Sequence, residues 1–177
     1  PDHPRFGTLR EAVDDQIDHF AYLELEMAAH IAQGLFIPAE RTIAKPFAPV
    51  EGYQPSFEPG NYIPHFWISD GCAAIDVLRF DRFTLFVPSS DERAWREVVA
   101  AMGDGFLAVE VVAIDADMRS QQGSVGDYWG DEPFALLIRP DGRIGWVEPD
   151  PMPDREDALR QALALGLVPT DTRLGAA

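Results

Sequence analysis

Apolar residues recur at steps of three or four from the beginning of the chain. Leu9, Val13, Ile17, Phe20, Leu23, Met27 and Ile31 form one stripe, which predicts a single amphipathic helix through the first 32 residues. Thr8 followed by Glu11 reads as a capping box at its start, and Gly34 as its stop. The opposite side carries Glu11, Asp14, Asp15, Asp18 and Glu24, an ordinary solvated face. From Ile37 to Pro64 this pattern breaks. Pro38, Pro46, Pro49, Pro55, Pro59 and Pro64, with Gly52 and Gly60, exclude a regular helix or a central strand, because proline fixes φ and lacks the N–H that a ladder needs. Phe47, Tyr53, Phe57 and Tyr62 predict that this extended connector lies packed along a surface, whereas a free linker would be richer in Ser and Gly.

After Pro64, short strand-like runs alternate with helical periodicity. Ala73 to Leu78 and Arg82 to Val87 read as a hairpin, with Phe83, Leu85 and Val87 on one face. Ser89 to Glu92 reads as a second capping box, opening a helix that turns Trp95, Val98, Val99 and Met102 inward and stops at Gly103. Leu107 to Ile114 is apolar almost throughout, the mark of a buried strand, and Asp115 to Asp131 is polar and loop-like. Phe134 to Ile138 and Ile144 to Val147 flank the turn Arg139-Pro140-Asp141-Gly142-Arg143 and predict a hairpin. Asp154 caps a last helix with Ala158, Leu159, Ala162 and Leu163 inward, ending at Gly166. Strand, helix, strand, loop, hairpin, helix is the order of an α/β thioredoxin-like sandwich with a mixed sheet. Its Phe83-to-Leu107 part forms a parallel βαβ unit. The expected organisation is an N-terminal amphipathic helix over 1–36, a proline-rich connector over 37–64 and a thioredoxin-like domain over 65–177.

Composition narrows the classes of function. With 177 residues, 46% of them hydrophobic, the chain has material for one real core. Its 14 basic and 30 acidic residues give a net charge of −16, which repels a phosphate backbone or an anionic membrane and argues against nucleic acid as a partner. No apolar run approaches the roughly 20 residues of a spanning helix, and Pro1 to Arg5 lacks the features of a secretory signal. The absence of an initiator Met is consistent with a fragment or a processed product. Cys72, the single cysteine, excludes an internal disulfide, a CxxC redox pair and a multi-cysteine zinc site, and fits a reducing cytoplasm.

Candidate chemistry is sparse. Redox-active thioredoxin-like proteins place a cysteine at the N-terminus of their first helix, where the helix dipole lowers the thiol pKa. The corresponding stretch, Pro88 to Glu92, has none, and Cys72 reads as a small half-buried residue. His19 and His30 share a face of the expected helix but would lie about 16 Å apart at roughly 1.5 Å per residue, too far for one metal ion. His3 belongs to the chain start, and His65 reads as a structural residue bonded to nearby backbone. Gly103 and Gly105 are followed by Ala108 where GxGxxG needs a third glycine, and Gly123 and Gly126 read as loop hinges. No GxSxG, HExxH or EF-hand loop occurs. Asp14 with Asp18 and Asp115 with Asp117 are paired carboxylates in hydrophilic surroundings, which favours solvation over acid–base work. No residue is therefore assigned a catalytic, cofactor-binding or metal-ligating role.

Two longer stretches are more specific. Tyr53 to Ile68, with Pro59-Gly60 and Pro64-His65-Phe66-Trp67-Ile68, followed by Asp70-Gly71, Asp76 and Phe83-Thr84-Leu85, resembles the PG-x-x-x-PH-x-W-[LI] start of one family's C-terminal domain. Phe134 to Trp146 is similar to that domain's closing LVRPDG-x-x-AW hairpin. The family is that of the FAD-dependent aromatic-ring hydroxylases, the flavoprotein monooxygenases of the phenol and dichlorophenol hydroxylase type. This chain departs from it at Val147, where Arg is common, and at Asn61, where a basic residue is common. The resemblance implies a terminal thioredoxin-like domain without redox cysteines. It also implies a parent enzyme that uses FAD and NAD(P)H, with the flavin and substrate sites in a large upstream region and no catalytic residue carried by this part. The expected partners are that upstream flavin-binding domain or, through the Leu9-to-Ile31 stripe, a second copy of the chain. A self-standing, redox-inactive thioredoxin-like interaction module is the competing expectation, and a thiol enzyme using Cys72 a weaker third.

Overall fold

A computed structural model describes residues 5–20, 29–30, 36–41, 43, 54–69, 71–103, 108–114, 125–129, 132–150 and 154–165. The expected N-terminal helix is present as α1 (Phe6–Phe20). It begins earlier than the apolar stripe predicts. The Leu9 amide already bonds the Arg5 carbonyl at 3.0 Å, so Thr8 lies within the first turn and does not cap it. Ala29 and His30 lie outside any helix, so His30 does not share a helix face with His19, and the Ala29 carbonyl accepts from the Arg143 guanidinium. Leu23, Met27, Ile31 and Gly34 lie outside the described residues.

The domain's strands and helices follow in the order β1 (Trp67–Ser69), β2 (Cys72–Ala73), β3 (Phe83–Pro88), α2 (Glu92–Met102), β4 (Val109–Ile114), the single-turn α3 (Gly126–Trp129), β5 (Leu136–Ile138), β6 (Ile144–Val147) and α4 (Arg155–Leu165). The four longer strands form one mixed sheet in the order β4-β3-β5-β6. β3 pairs in parallel with β4, Leu85 opposite Val111, and antiparallel with β5, Leu85 opposite Leu137. The expected βαβ unit and the closing hairpin are thus both present. Gly142 makes the hairpin turn with φ of +79°, a conformation that L side chains rarely adopt. Gly103 ends α2 at φ +70°, and the Asp154 carboxylate accepts the Asp157 amide at 3.0 Å as the N-cap of α4.

The predicted hairpin between 73–78 and 82–87 does not form. Cys72–Ala73 pairs with β1 instead, and the Asp76 carboxylate accepts the Ala73 amide at 2.8 Å, drawing Ala74–Val77 into a 3₁₀ turn. Ser89 is not a cap either. Ser89–Asp91 is a 3₁₀ turn, Glu92 pairs with Arg96 at 2.8 Å, and the Asp91 carboxylate is held by Arg155. β4 is less buried than its composition implies, with only Val111 and Ile114 fully inside, because it is an edge strand.

Alternation along β3 divides the core. Leu85 and Val87 face α2 and α4, where they meet Trp95, Met102, Leu137, Trp146, Leu159 and Leu163. Phe86 faces the other way, toward Phe57, Phe66, Tyr128, Phe134, Leu136 and Ile144. Phe57 comes from the predicted connector but lies at the centre of this second layer rather than along a surface. It stacks on Tyr128 at 4.8 Å and meets Phe66 edge-on at 5.4 Å. Phe47 and Tyr53 lie outside the described residues. Tyr128 and Trp129, within the stretch that reads as a polar loop, are buried on the helical turn α3. The outer edge of β6 is covered by extended chain: Gly60, Ile144 and Ile63 amides bond across at 2.8–2.9 Å, and the Ile37 amide reaches the Gly145 carbonyl at 3.2 Å.

Candidate functional site

The N-terminus of α2 lies within Pro88 to Glu92, a stretch without cysteine. Here it carries Asp91 in an ion pair with Arg155, whose guanidinium also lies 5.2 Å from the buried Trp95 ring. Arg155 Nε lies 3.9 Å from Glu148, and the second oxygen of Glu148 accepts the Ala135 amide at 2.7 Å. Burial pushes the Glu148 carboxyl above its ordinary range, with the Asp91 charge adding to it and the Ala135 hydrogen bond and Arg155 opposing it. The group ties the end of β6 to the start of β5 and, through Arg155 and Asp91, to α4 and α2. It is a cross-tie that joins Asp91, Arg155, Glu148 and the Ala135 amide.

Cys72 is half-buried on β2, with its thiol against the Ala73 carbonyl at 3.8 Å, in keeping with a small packing residue. His65 is exposed, its ring edge-on to Trp67 at 5.0 Å, so the expected backbone bond to its ring is replaced by an aromatic contact. Its backbone carbonyl instead accepts from the Tyr128 hydroxyl at 3.5 Å. Asp14 is exposed beside Arg10 at 3.8 Å; the Asp18 side chain, Asp115 and Asp117 lie outside the described residues, as do His3 and Gly123. Gly126 opens α3. The structure therefore brings none of the candidate histidines, carboxylate pairs and cysteine together among the described residues.

Two of the surface cavities are lined by described residues. One, of about 360 Å³, runs between residues 37–40 and α4 and is rimmed by Glu40, Asp154 and Asp157. The other, of about 190 Å³, lies by Phe83, Leu137 and Arg139, whose guanidinium is already held by Asp141 at 2.8 and 3.1 Å. FAD needs a long cleft with backbone amides or free cations at its diphosphate. The acidic rim of the first cavity repels such a group and the second is too small, so these residues do not fit the flavin.

Sequence reasoning overlooked the basic side chains around the closing hairpin. Arg143 is 7% exposed, and its Nη1 donates to the Ala29 carbonyl at 2.6 Å and the Gly60 carbonyl at 2.8 Å. Arg41 lies over the Phe134 ring at 4.2 Å and donates to the Glu148 carbonyl at 3.3 Å. The only hint in the sequence is the position of Arg143 against an apolar strand, where a solvated charge has no place.

This geometry agrees with comparison to known proteins. Residues 57–167 match the family described as aromatic-ring hydroxylase, C-terminal. The chain belongs to that family. The aromatic-ring hydroxylase relatives include a phenol 2-monooxygenase of Pseudomonas sp., 25% identical over 179 residues, with 96% of this chain and 29% of the relative covered. A putative polyketide hydroxylase of Streptomyces coelicolor is 27% identical over 149 residues, covering 76% of this chain and 23% of the relative. Among solved structures, aklavinone-11 hydroxylase in a ternary complex with FAD and aklavinone superposes with a TM-score of 0.57 at 21% identity, over 81% of this chain and 28% of that one. The rebeccamycin biosynthetic enzyme RebC with reduced flavin gives 0.56 at 18% identity, over 93% and 29%. At these identities the structural matches establish the fold alone. The chain spans less than a third of the length of these relatives.

Proposed function

We propose that the chain is the non-catalytic C-terminal part of a FAD- and NAD(P)H-dependent aromatic-ring monooxygenase, serving packing and assembly while hydroxylation takes place in an upstream flavin-binding region. The observation that carries this reading is the match of residues 57–167 to the C-terminal family of such hydroxylases, in a chain less than a third as long as its relatives. The sheet order β4-β3-β5-β6, with a parallel βαβ half and an antiparallel ββα half, supports a thioredoxin-like sandwich for this domain. The unpaired thiol of Cys72 fits a cytoplasmic location.

Partners follow from α1. Phe6, Leu9 and Val13 lie along one side of the helix and are 44%, 63% and 56% exposed, an apolar stripe that water disfavours. In the parent polypeptide this stripe packs on the flavin-binding region; in the isolated chain it packs on a second copy.

The test is flavin binding. The purified chain, incubated with FAD and passed through gel filtration, emerges colourless, whereas the polypeptide from the full upstream coding sequence retains FAD and oxidises NAD(P)H when a phenol is supplied. Stoichiometric flavin on the chain alone would overturn the reading, as would an upstream sequence without a GxGxxG loop.

A further inference from the structure

We infer that Arg41, Arg139 and Arg143 form an anchored joint that fixes the incoming chain, at residues 29–30 and 36–41, to the β5–β6 hairpin, so that the domain is held in a set direction to whatever precedes it. Segments joining domains are ordinarily solvated and free to swing. Here the contacts run along both described parts of the incoming segment. Arg143 gathers the Ala29 and Gly60 carbonyls with its guanidinium 3.9 Å from the Tyr62 ring, and His30 Nδ1 lies 2.9 Å from Asn61 Oδ1 beside it. Further on, the Ile37 amide bonds the Gly145 carbonyl, and Arg139 lies 4.9 Å over the Phe36 ring. Gly145 makes that placement possible: a Cβ there would stand 3.2 Å from Arg139 Cγ, and Asp141 grips the Arg139 guanidinium from the turn. At the far end Arg41 sits over Phe134, donates to the Glu148 carbonyl, and has Glu132 and Asp150 at 4.0 Å.

The chemistry suits the task. A guanidinium carries five donors in a rigid plane, so one arginine can hold carbonyls from two chain segments while its face rests on a ring. Arg143 is almost fully desolvated, and withdrawing it removes the one guanidinium nitrogen that the Ala29 and Gly60 carbonyls share. Three such contacts spaced along the segment remove its freedom to pivot. The joint is a property of this chain. Only its consequence, that it orients the domain toward a flavin-bearing region, rests on the function proposed above.

Spin labels on Pro38→Cys, in the incoming segment, and Arg93→Cys, on the exposed side of α2, in a Cys72→Ser background, report the joint by pulsed electron–electron distance measurement. The native joint gives one narrow distance distribution. Arg143→Met broadens it by about twofold or more, and Ile37 amide exchange quickens by about tenfold, while Leu85 and Phe86 amides stay protected. Arg143→Lys, which keeps a donor, restores part of the narrowing. An unchanged width in Arg143→Met with the sheet folded overturns the joint, as does a broad distribution before any arginine is replaced. Should Arg143→Met not fold, Arg41→Met is measured in its place, and the same two outcomes decide. Neither result depends on flavin, so failure of the joint and failure of the proposed function are separately visible.

Discussion

Glu148 shows how one residue gains meaning only from its surroundings. It follows the last strand in the sequence with nothing local to mark it; in the fold it is buried beside Arg155 and bonded to the Ala135 amide. Burial raises its pKa above the ordinary 4.5, so folding takes up a proton at this site. Its contribution to stability is therefore full below pH 4.5 and declines as pH rises through the folded-state value. Glu148→Gln, followed by thermal unfolding at a series of pH values, is expected to flatten that decline; parallel curves for mutant and wild type would contradict the assignment. Gly142 gives a simpler case. A Cβ there meets only Tyr62 and Leu78 at 3.9–4.0 Å, so its φ of +79° is the main obstacle to substitution. Gly142→Ala should cost about 1 kcal/mol in chemical denaturation, and Gly142→Asn less, since Asn visits the left-handed region more readily.

At the level of elements, periodicity predicts best where one face meets a core. α4 places Ala158, Leu159, Ala162 and Leu163 inward as their spacing implies, and α2 does the same with Trp95 and Met102. Leu159 is fully buried between these helices and the sheet, so Leu159→Ala should cost about 3 kcal/mol in denaturant unfolding, whereas Arg160→Ala, at a half-exposed position where the guanidinium pairs with Glu156, should cost about 1 kcal/mol or less. Similar losses for the two would mean that α4 does not pack as described. Short stretches depart from their expected form where distant partners intervene. The 72–78 stretch has a strand's composition, but two residues of pairing to β1 and the Asp76 bond to Ala73 outweigh the β-propensity of Ile75 and Val77. A capping box at Ser89 was equally plausible locally, until Arg155 from a distant helix claimed Asp91.

The whole molecule combines a two-sided core with a helix whose described side chains face solvent. All described side chains from Arg5 to Gln16 are exposed, so the apolar stripe of α1 finds no cover within the described part of the domain. Sedimentation of the isolated chain is expected to show a dimer, and Leu9→Asp with Val13→Asp to convert it to soluble monomer. A monomeric wild type would eliminate the second copy as the partner of this stripe. The net charge of −16 opposes self-association, so added salt should strengthen the dimer by screening that repulsion.

What the sequence determined by itself was local and periodic: the faces of α2 and α4, the run of β5 and β6, the tight turn at Gly142, the caps at Asp154 and Gly103, and, through Pro59-Gly60, Pro64-His65 and the Arg139-to-Gly142 turn, the family. These depend on neighbours within a few residues, where spacing and backbone chemistry act directly. Tertiary structure decided the rest. It placed Phe57 in the core and folded Tyr128 and Trp129 inward on a single turn, since a long sheet face needs covering from wherever aromatic side chains can reach. It also set Arg143 on the carbonyls of Ala29 and Gly60, which lie 114 and 83 residues away along the chain. No local pattern encodes such contacts, because a buried guanidinium is stable only after distant carbonyls and an aromatic ring have been brought around it.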